Sequence, residues 1–271
     1  MKNPNRCFSL IASALLIGTA TSQAILVTHY TFEGNGNDVV GTRNLTITDG
    51  TVVANNLVTG GIFSNNTPSG TGQSLLFDGA TTRAIYDVLA GDSLGGTFTI
   101  SLYVNYNVQS NASETVQPKS FFGTRGPVEY GTDIKFIGGN LIHADLGNGV
   151  NNWVTASADA SFTSQINTWY NVAYVVTPTA YTIYVDGNQV GTSPISGSTT
   201  TPILFDENHD IAIGNSGVGA ANTEFMSGWI DDVRIYSSAL TQSEIQANLV
   251  PEPSSAALLA LGMLGAIRRR R

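Results

Sequence analysis

The chain has 271 residues, and its 20 Asp and Glu outweigh its 12 Lys and Arg, leaving a formal net charge of −8. A body this acidic, with no basic cluster, is a poor partner for nucleic acid, because neutralising phosphate takes Lys and Arg. The one cysteine, Cys7, sits near the start, so the rest of the chain has neither a disulfide framework nor thiol catalysis open to it.

Taken in order, the first segment has a basic start at Lys2 and Arg6, an apolar stretch from Cys7 to Gly18, and small residues in Thr21-Ser22-Gln23-Ala24. That is the pattern of an export signal, with cleavage expected after Ala24. Residues 1–24 are therefore read as leader and 25–249 as the body. Cys7 is not a lipid-attachment cysteine, since Asn3-Pro4-Asn5-Arg6 lacks the apolar run such a site follows.

Helical periodicity is nearly absent from the body, and period-two alternation recurs. Ile25 to Glu33 and Ser74 to Asp78 read as early strands. In "TFTISLYVN", Phe98, Ile100, Leu102 and Val104 alternate with Thr97, Thr99, Ser101 and Tyr103, one set for a core and one for a polar layer. "WYNVAYVVT" is apolar on both faces, as for a strand covered on both sides. Asp186-Gly187 between "YTIYV" and "NQVGTS" is a hairpin signal. "DIAIGNSG" and "GWIDDVRIY" add two more strands. Thr241 with Glu244 makes a capping box, so Thr241 to Leu249 is read as a short terminal helix. Many short strands with Gly, Asn, Thr and Ser between them predict an all-β fold, one sandwich of two antiparallel sheets.

The chain closes on "VPEPSSAALLALGMLGAIRRRR". Its apolar run, Ser254 to Ile267, reaches about 21 Å as a helix against a hydrocarbon core of about 30 Å. That is short for a permanent span. Four terminal arginines resist crossing and stay on the cytoplasmic side.

Five segments in order resemble the LamG-like (laminin G type, concanavalin A-like) jelly-roll family. They are "HYTFEGNGNDVVGTRNLTI", "SLLFDGATTRAIYDV", "TFTISLYVN", "WYNVAYVVTPTAYTIYVDGNQVGTS" and "FMSGWIDDVRIYSSALTQSEI", which together span nearly the whole body. The resemblance implies a jelly-roll β-sandwich. Pro251-Glu252-Pro253, the short apolar helix and the arginine cluster of residues 250–271 resemble the PEP-CTERM sorting signal of Gram-negative bacteria. That resemblance implies transient anchoring in the inner membrane and cutting near Pro-Glu-Pro by an exosortase-type enzyme. Prolines suit such a site because they end a helix and leave an extended stretch. A permanent anchor is the other reading.

Jelly-roll glucanases carry alternating carboxylates on one strand, which sets them on one face of a cleft. No strand here offers that set. "FDENHDI", with Asp206, Glu207, His209 and Asp210, reads as a solvated loop before a strand. His29, His143 and His209 show no metal-ligand spacing, His29 reads as a surface-face residue, and no serine sits in a Gly-x-Ser-x-Gly elbow. The loop Glu33-Gly34-Asn35-Gly36-Asn37-Asp38 is rich in oxygen ligands, although Asn, Gly and Asp are also plain turn formers. The family resemblance implies a structural Ca²⁺ held by Glu33, Asp38 and an acid of the last strand, Asp231 or Asp232; alternation lets at most one of those two face the site. For glycans, Trp153 beside Asn148, Asn151 and Asn152 is the candidate stacking site, with core packing as the competing reading. Trp169 and Trp229 are assigned to the core. The expectation is an exported, non-catalytic surface or matrix protein that binds exopolysaccharide or other surface glycans or plays a structural part. The alternative is a hydrolase or lyase of the same fold.

Overall fold

A computed structural model describes residues 24–49, 62–108, 119–126, 130–155, 159–195, 201–218 and 224–249. The expected leader and the tail with Pro251, Glu252 and Pro253 lie outside the described residues. In chain order the strands are β1 (Leu26–Tyr30), β2 (Thr46–Asp49), β3 (Phe63–Ser64), β4 (Ser74–Asp78), β5 (Thr82–Tyr86), β6 (Leu94–Gly95), β7 (Phe98–Tyr106), β8 (Lys119–Gly123) and β9 (Thr132–Ile137). Then follow β10 (Leu141–Leu146), β11 (Asp159–Ser161), β12 (Tyr170–Val176), β13 (Ala180–Val185), β14 (Asn188–Pro194), β15 (Ile203–Phe205), β16 (Ile211–Ile213), β17 (Ser227–Tyr236) and the helix α1 (Gln242–Leu249).

All of these strands but β6 and β15, which pair with each other, make the two antiparallel sheets of the expected sandwich. The first runs β14-β13-β12-β7-β17-β4-β3, with β1 also paired to β17, and the second runs β11-β10-β9-β8-β16-β5-β2. Strand alternation sets the core between them. Phe98, Ile100, Leu102 and Val104 of β7 and Val172, Tyr174 and Val176 of β12 meet Ile134 and Phe136 of β9 and Ile142, Ala144 and Leu146 of β10, all in one buried cluster. Each large apolar side chain so buried contributes about 1.5–3 kcal/mol. Tyr174 is fully buried, and its hydroxyl crosses the core to donate to the Ala144 carbonyl at 3.2 Å, which removes the cost of an unpaired buried polar atom.

The outer face of the first sheet carries a second, smaller apolar cluster. Ala173, Val175, Tyr184 and Tyr236 cluster with Leu240, just before α1, and Ile245 of α1. That cover is why every residue of β12 is buried. The expected capping box is made: the Glu244 N–H donates to Thr241 Oγ1 at 3.3 Å, and the Thr241 N–H to Glu244 Oε2 at 2.7 Å. The expected hairpin is made too. Asp186 and Gly187 have φ of 49° and 72°, the pair of positive values that a two-residue turn matching strand twist demands. Asp78 makes the corner where the chain leaves the first sheet at β4 for the second at β5. Its Oδ1 accepts the N–H groups of Ala80, Thr81 and Thr82, and these bonds, with the Thr81 hydroxyl, outweigh partial burial to hold its carboxyl well below the usual range.

A bulge in β17 breaks the period of two. Against β7, Asp231 pairs with Tyr103 and Arg234 with Ser101, so β17 carries an extra residue between them. Asp232 takes a left-handed backbone there, with φ of 51°, and the Asp232 N–H turns back onto Asp231 Oδ1 at 2.8 Å. This is a bulge, and a bulge resets which face each residue serves.

Candidate functional site

Two groups of polar residues lie outside the core, one on each sheet. The first is a cleft of about 770 Å³ on the first sheet, beside the end of α1. Its walls include His29, Glu33, Thr71, Tyr103, Asp231 and Asp232. The bulge overturns the expectation that only one of Asp231 and Asp232 could face such a site, since both line it. Asp232 is held by His29 Nε2 at 2.5 Å and by Arg234 Nη2 at 2.9 Å. Asp231 is 8% exposed. Its burial, then the charges of Asp232 and Glu33, push its carboxyl up to about 8.

Asp38 does not join Glu33 and Asp231. Its Oδ1 accepts the N–H groups of His29, Val40 and Gly41, and its Oδ2 that of Arg43. It organises its own loop, the turn-forming role open to an Asp in such a stretch. Glu33 is likewise drawn to the Gln73 N–H, at 3.1 and 3.2 Å. Among the described residues no group of three or more His, Cys, Asp or Glu is placed to hold a metal ion. The ligand set Glu33–Asp38–Asp231 is thus not assembled.

The second group is the outer face of the second sheet. Ile134 and Phe136 of β9 point to the core, so Asp133 and Lys135 point away, and His143 and Asp145 do the same on β10. In register, Asp145 lies opposite Asp133 and His143 opposite Lys135. Two like charges facing each other destabilise a sheet, so the cations here are structural. Lys135 Nζ contacts Asp133 Oδ2 at 3.0 Å and Glu224 Oε2 at 3.1 Å. Arg125 Nη1 adds Glu224 at 3.6 Å and Asp133 at 3.8 Å, and Ser120 Oγ donates to Asp133 Oδ1. His143 is clamped between Asp159, at 2.5 Å from Nδ1, and Asp145, at 2.8 Å from Nε2.

Burial decides the electrostatics. Asp133 is 1% exposed and Lys135 3%. Burial pushes the Asp133 carboxyl up, but Lys135 and the Ser120 hydroxyl outweigh it and hold the group below its usual range. Glu224 goes the other way: burial, then the charge of Asp133, raise it to about 7. Burial pulls His143 down, yet its bonds to Asp145 and Asp159 win and carry it to about 9.

Trp153 stands at the rim of this face. It is half-buried, with Tyr130 edge-on at 5.6 Å between ring centroids and the Arg125 guanidinium 5.8 Å from its own. Arg125 therefore links the rim to the charged network. Asn148 shapes the adjoining turn by accepting the N–H groups of Val150, Asn151 and Asn152 on Oδ1 at 3.0–3.1 Å. Asn151 and Asn152 are exposed beside the half-buried indole. The structure thus brings Trp153, Asn151 and Asn152 together on one rim.

Three sequence expectations are corrected. Trp169 and Trp229 are not core residues: both are partly exposed, and their indole N–H groups donate to Asn66 Oδ1 and Ser64 Oγ. The "FDENHDI" stretch is not simply a solvated loop, for His209 is fully buried, with Nδ1 against Asp206 Oδ1 at 2.7 Å. Asp210 is tied to the Val88 N–H. The network of Asp133, Lys135, His143, Asp145 and Glu224 went unforeseen. "TDIKFI" and "LIHADL" carry its alternation in plain sight, but such alternation is also how a solvated face reads.

The profile of the concanavalin A-like lectin/glucanases superfamily matches residues 77–246, and the PEP-CTERM protein-sorting motif matches residues 249–271. No curated protein matches the chain. Among solved structures it is similar to domain 4 of AbnA, a GH43 extracellular arabinanase from Geobacillus stearothermophilus, in complex with arabinotriose. The identity is 19% and the TM-score 0.53, over 83% of this chain and 98% of that one. It is also similar to the binding domain of Paraclostridial Mosquitocidal Protein 1, at 16% identity and TM-score 0.60, over 82% of this chain and 51% of that one. The binding domain of botulinum neurotoxin DC in complex with SialylT gives 16% and 0.57, over 83% and 50%. This chain spans about half the length of those two binding domains.

Proposed function

The chain belongs to the concanavalin A-like lectin/glucanases superfamily and carries a PEP-CTERM sorting motif, and from these two facts we propose that it is an exported, non-catalytic glycan-binding protein of the cell surface or extracellular matrix. The exposed glycan partner is an exopolysaccharide or another surface glycan. An exosortase-type enzyme cuts at Pro251-Glu252-Pro253 after transient anchoring in the inner membrane, and the leader ends at Ala24. One observation carries the binding reading: Trp153, half-buried beside the exposed amides of Asn151 and Asn152 and backed by Arg125. An indole held in place by Tyr130 and Arg125 is a rigid apolar ring for a sugar to pack on, and neighbouring amides offer hydrogen bonds to its hydroxyls. The likeness to domain 4 of the arabinanase, a structure holding arabinotriose, supports the same reading.

A glycan array on the protein without leader and tail tests it. Truncating a central indole typically costs at least about 2 kcal/mol, so Trp153→Ala is expected to weaken any glycan found by about 30-fold. Unchanged binding in that variant removes Trp153 from the site.

A second reading is favoured by one observation. Glu224, raised to about 7, shares Lys135 with an ionised Asp133, and carboxyls pushed apart in pKa are how glycosidases separate acid from base. We place it second because Asp133 is 1% exposed and salt-bridged, sealed from any substrate. Sugar release from a glycan by the wild type, lost in Glu224→Gln, reverses the order of the two readings.

A further inference from the structure

The sorting motif begins at residue 249, and Leu249 is also the last residue of α1. The helix end is fastened to the body. Tyr103 Oη donates to the Leu249 carbonyl at 3.4 Å, Asn248 Nδ2 to Tyr236 Oη at 3.1 Å, and Gln242 and Gln246 both to the Gly187 carbonyl at 2.9 and 3.1 Å. The motif therefore starts from a fixed point with no spacer. Pro251 to Pro253 lie two to four residues on, within about 14 Å at full extension. An enzyme that holds Pro-Glu-Pro in its active site must meet the surface around the end of α1.

That surface is the cleft on the first sheet, whose lining includes Ala247, Asn248 and Leu249 together with Ser69 and Thr71. We infer that this cleft is a docking surface for the membrane-bound sorting enzyme, taking a basic segment of that enzyme while Pro251-Glu252-Pro253 is cut. The charges suit a cation. Glu33, Asp231 and Asp232 line it with His29 and Arg234, and both of those side chains are already engaged with Asp232. Asp231 is 8% exposed and lines the cleft with Asp232 and Glu33; a Lys or Arg entering the cleft gains charge-assisted bonds to these acids. The inference rests on the sorting reading above and adds to it which face of the body the enzyme touches.

The test is the rate of tail loss, followed by pulse-chase in a bacterium that carries the exosortase-type system. Ala247→Arg and Thr71→Arg each place a cation from an exposed position in the lining of the acidic cleft, one on α1 and one on a distant stretch of the chain. Each is expected to slow cutting about tenfold. A flexible Gly-Ser insertion of about twelve residues between Leu249 and Val250, reaching about 19 Å, is expected to restore either variant to within about twofold of the wild type carrying the same spacer. A misfolded variant gains nothing from a spacer, so rescue separates docking from folding. Cutting at the wild-type rate in both arginine variants overturns the proposal, as does failure of the spacer to rescue either one. A wild type that keeps its tail overturns the sorting reading itself, and the docking surface with it.

Discussion

Replacing Lys135 by Met is expected to destabilise the protein by about 3–5 kcal/mol, a large part of the 5–15 kcal/mol that holds a typical domain together. The ammonium is 3% exposed and touches two carboxylates, Asp133 at 3.0 Å and Glu224 at 3.1 Å. Methionine keeps the length and the apolar stem, so packing is nearly preserved and the loss is electrostatic. Asp133, at 1% exposure, then keeps the Ser120 hydroxyl, the charge of His143 and Arg125 at 3.8 Å, and it faces Asp145 across the strands. Glu224 relieves part of the strain by taking a proton, since it is already raised to about 7; Asp133 has no such escape without giving up the bonds that hold it ionised. Adding Asp133→Asn and Glu224→Gln removes the stranded charges and is expected to restore about half of the loss, because replacing a whole buried ion set costs far less than orphaning one partner. Urea midpoints with a common slope give both numbers. A Lys135→Met variant within about 1 kcal/mol of wild type would show that the pair is solvated and that the outer face of the second sheet is not sealed.

That network also marks where the sequence stops being legible. The sandwich could be read because its signals are local: β7 alternates, β12 is apolar on both faces, Asp186-Gly187 turns the hairpin, and Thr241 with Glu244 caps the helix. The charged face could not. "TDIKFI" and "LIHADL" show apolar residues inward and charges outward, which is equally the pattern of a face in water. What makes it a site is Glu224, some ninety residues on from Lys135, together with the pairing of Phe225 with Ser120 and of Gly217 with Arg125. Sealing is a long-range fact. The cleft on the first sheet fails to show for a different reason. Reading Asp231 and Asp232 onto opposite faces assumes strict alternation, and one extra residue with a left-handed backbone at Asp232 cancels it. Trp169 and Trp229 mislead through size, since a large apolar ring reads as core, yet both indole N–H groups found polar partners near the surface.

Stability is expected to peak near pH 4 and to fall by at least about 3 kcal/mol toward pH 9, because three raised groups all lose their protons over that span. Glu224 is raised from an ordinary value of 4.5 to about 7, Asp231 from 3.8 to about 8, and His143 from 6.5 to about 9. In each case the folded state holds its proton more tightly than the unfolded chain does. The contribution is therefore complete below the unfolded value and is lost as pH rises through the folded one. The windows follow: about pH 4–8 for the two carboxyls and about pH 6.5–9 for His143. The acid side is set by groups of the opposite sign. Asp133 and Asp92 are held below their ordinary range, Asp133 by Lys135 against its burial and Asp92 by its bond from Arg43, so their contribution is present above about pH 4 and fades below it. Asp231 gives the cleanest control, because its carboxyl sits at 8% exposure with Glu33 and Asp232 as neighbours. Asp231→Asn keeps the shape and an acceptor for the Asp232 N–H while removing the titration. Thermal melts should place this variant above wild type at pH 8, with the gap closing as pH falls and the two level at about pH 4. Equal melting at pH 8, or a wild type that gains stability from pH 5 to pH 8, would mean that water and counter-ions reach Asp231 freely and that the cleft is more open than its walls imply.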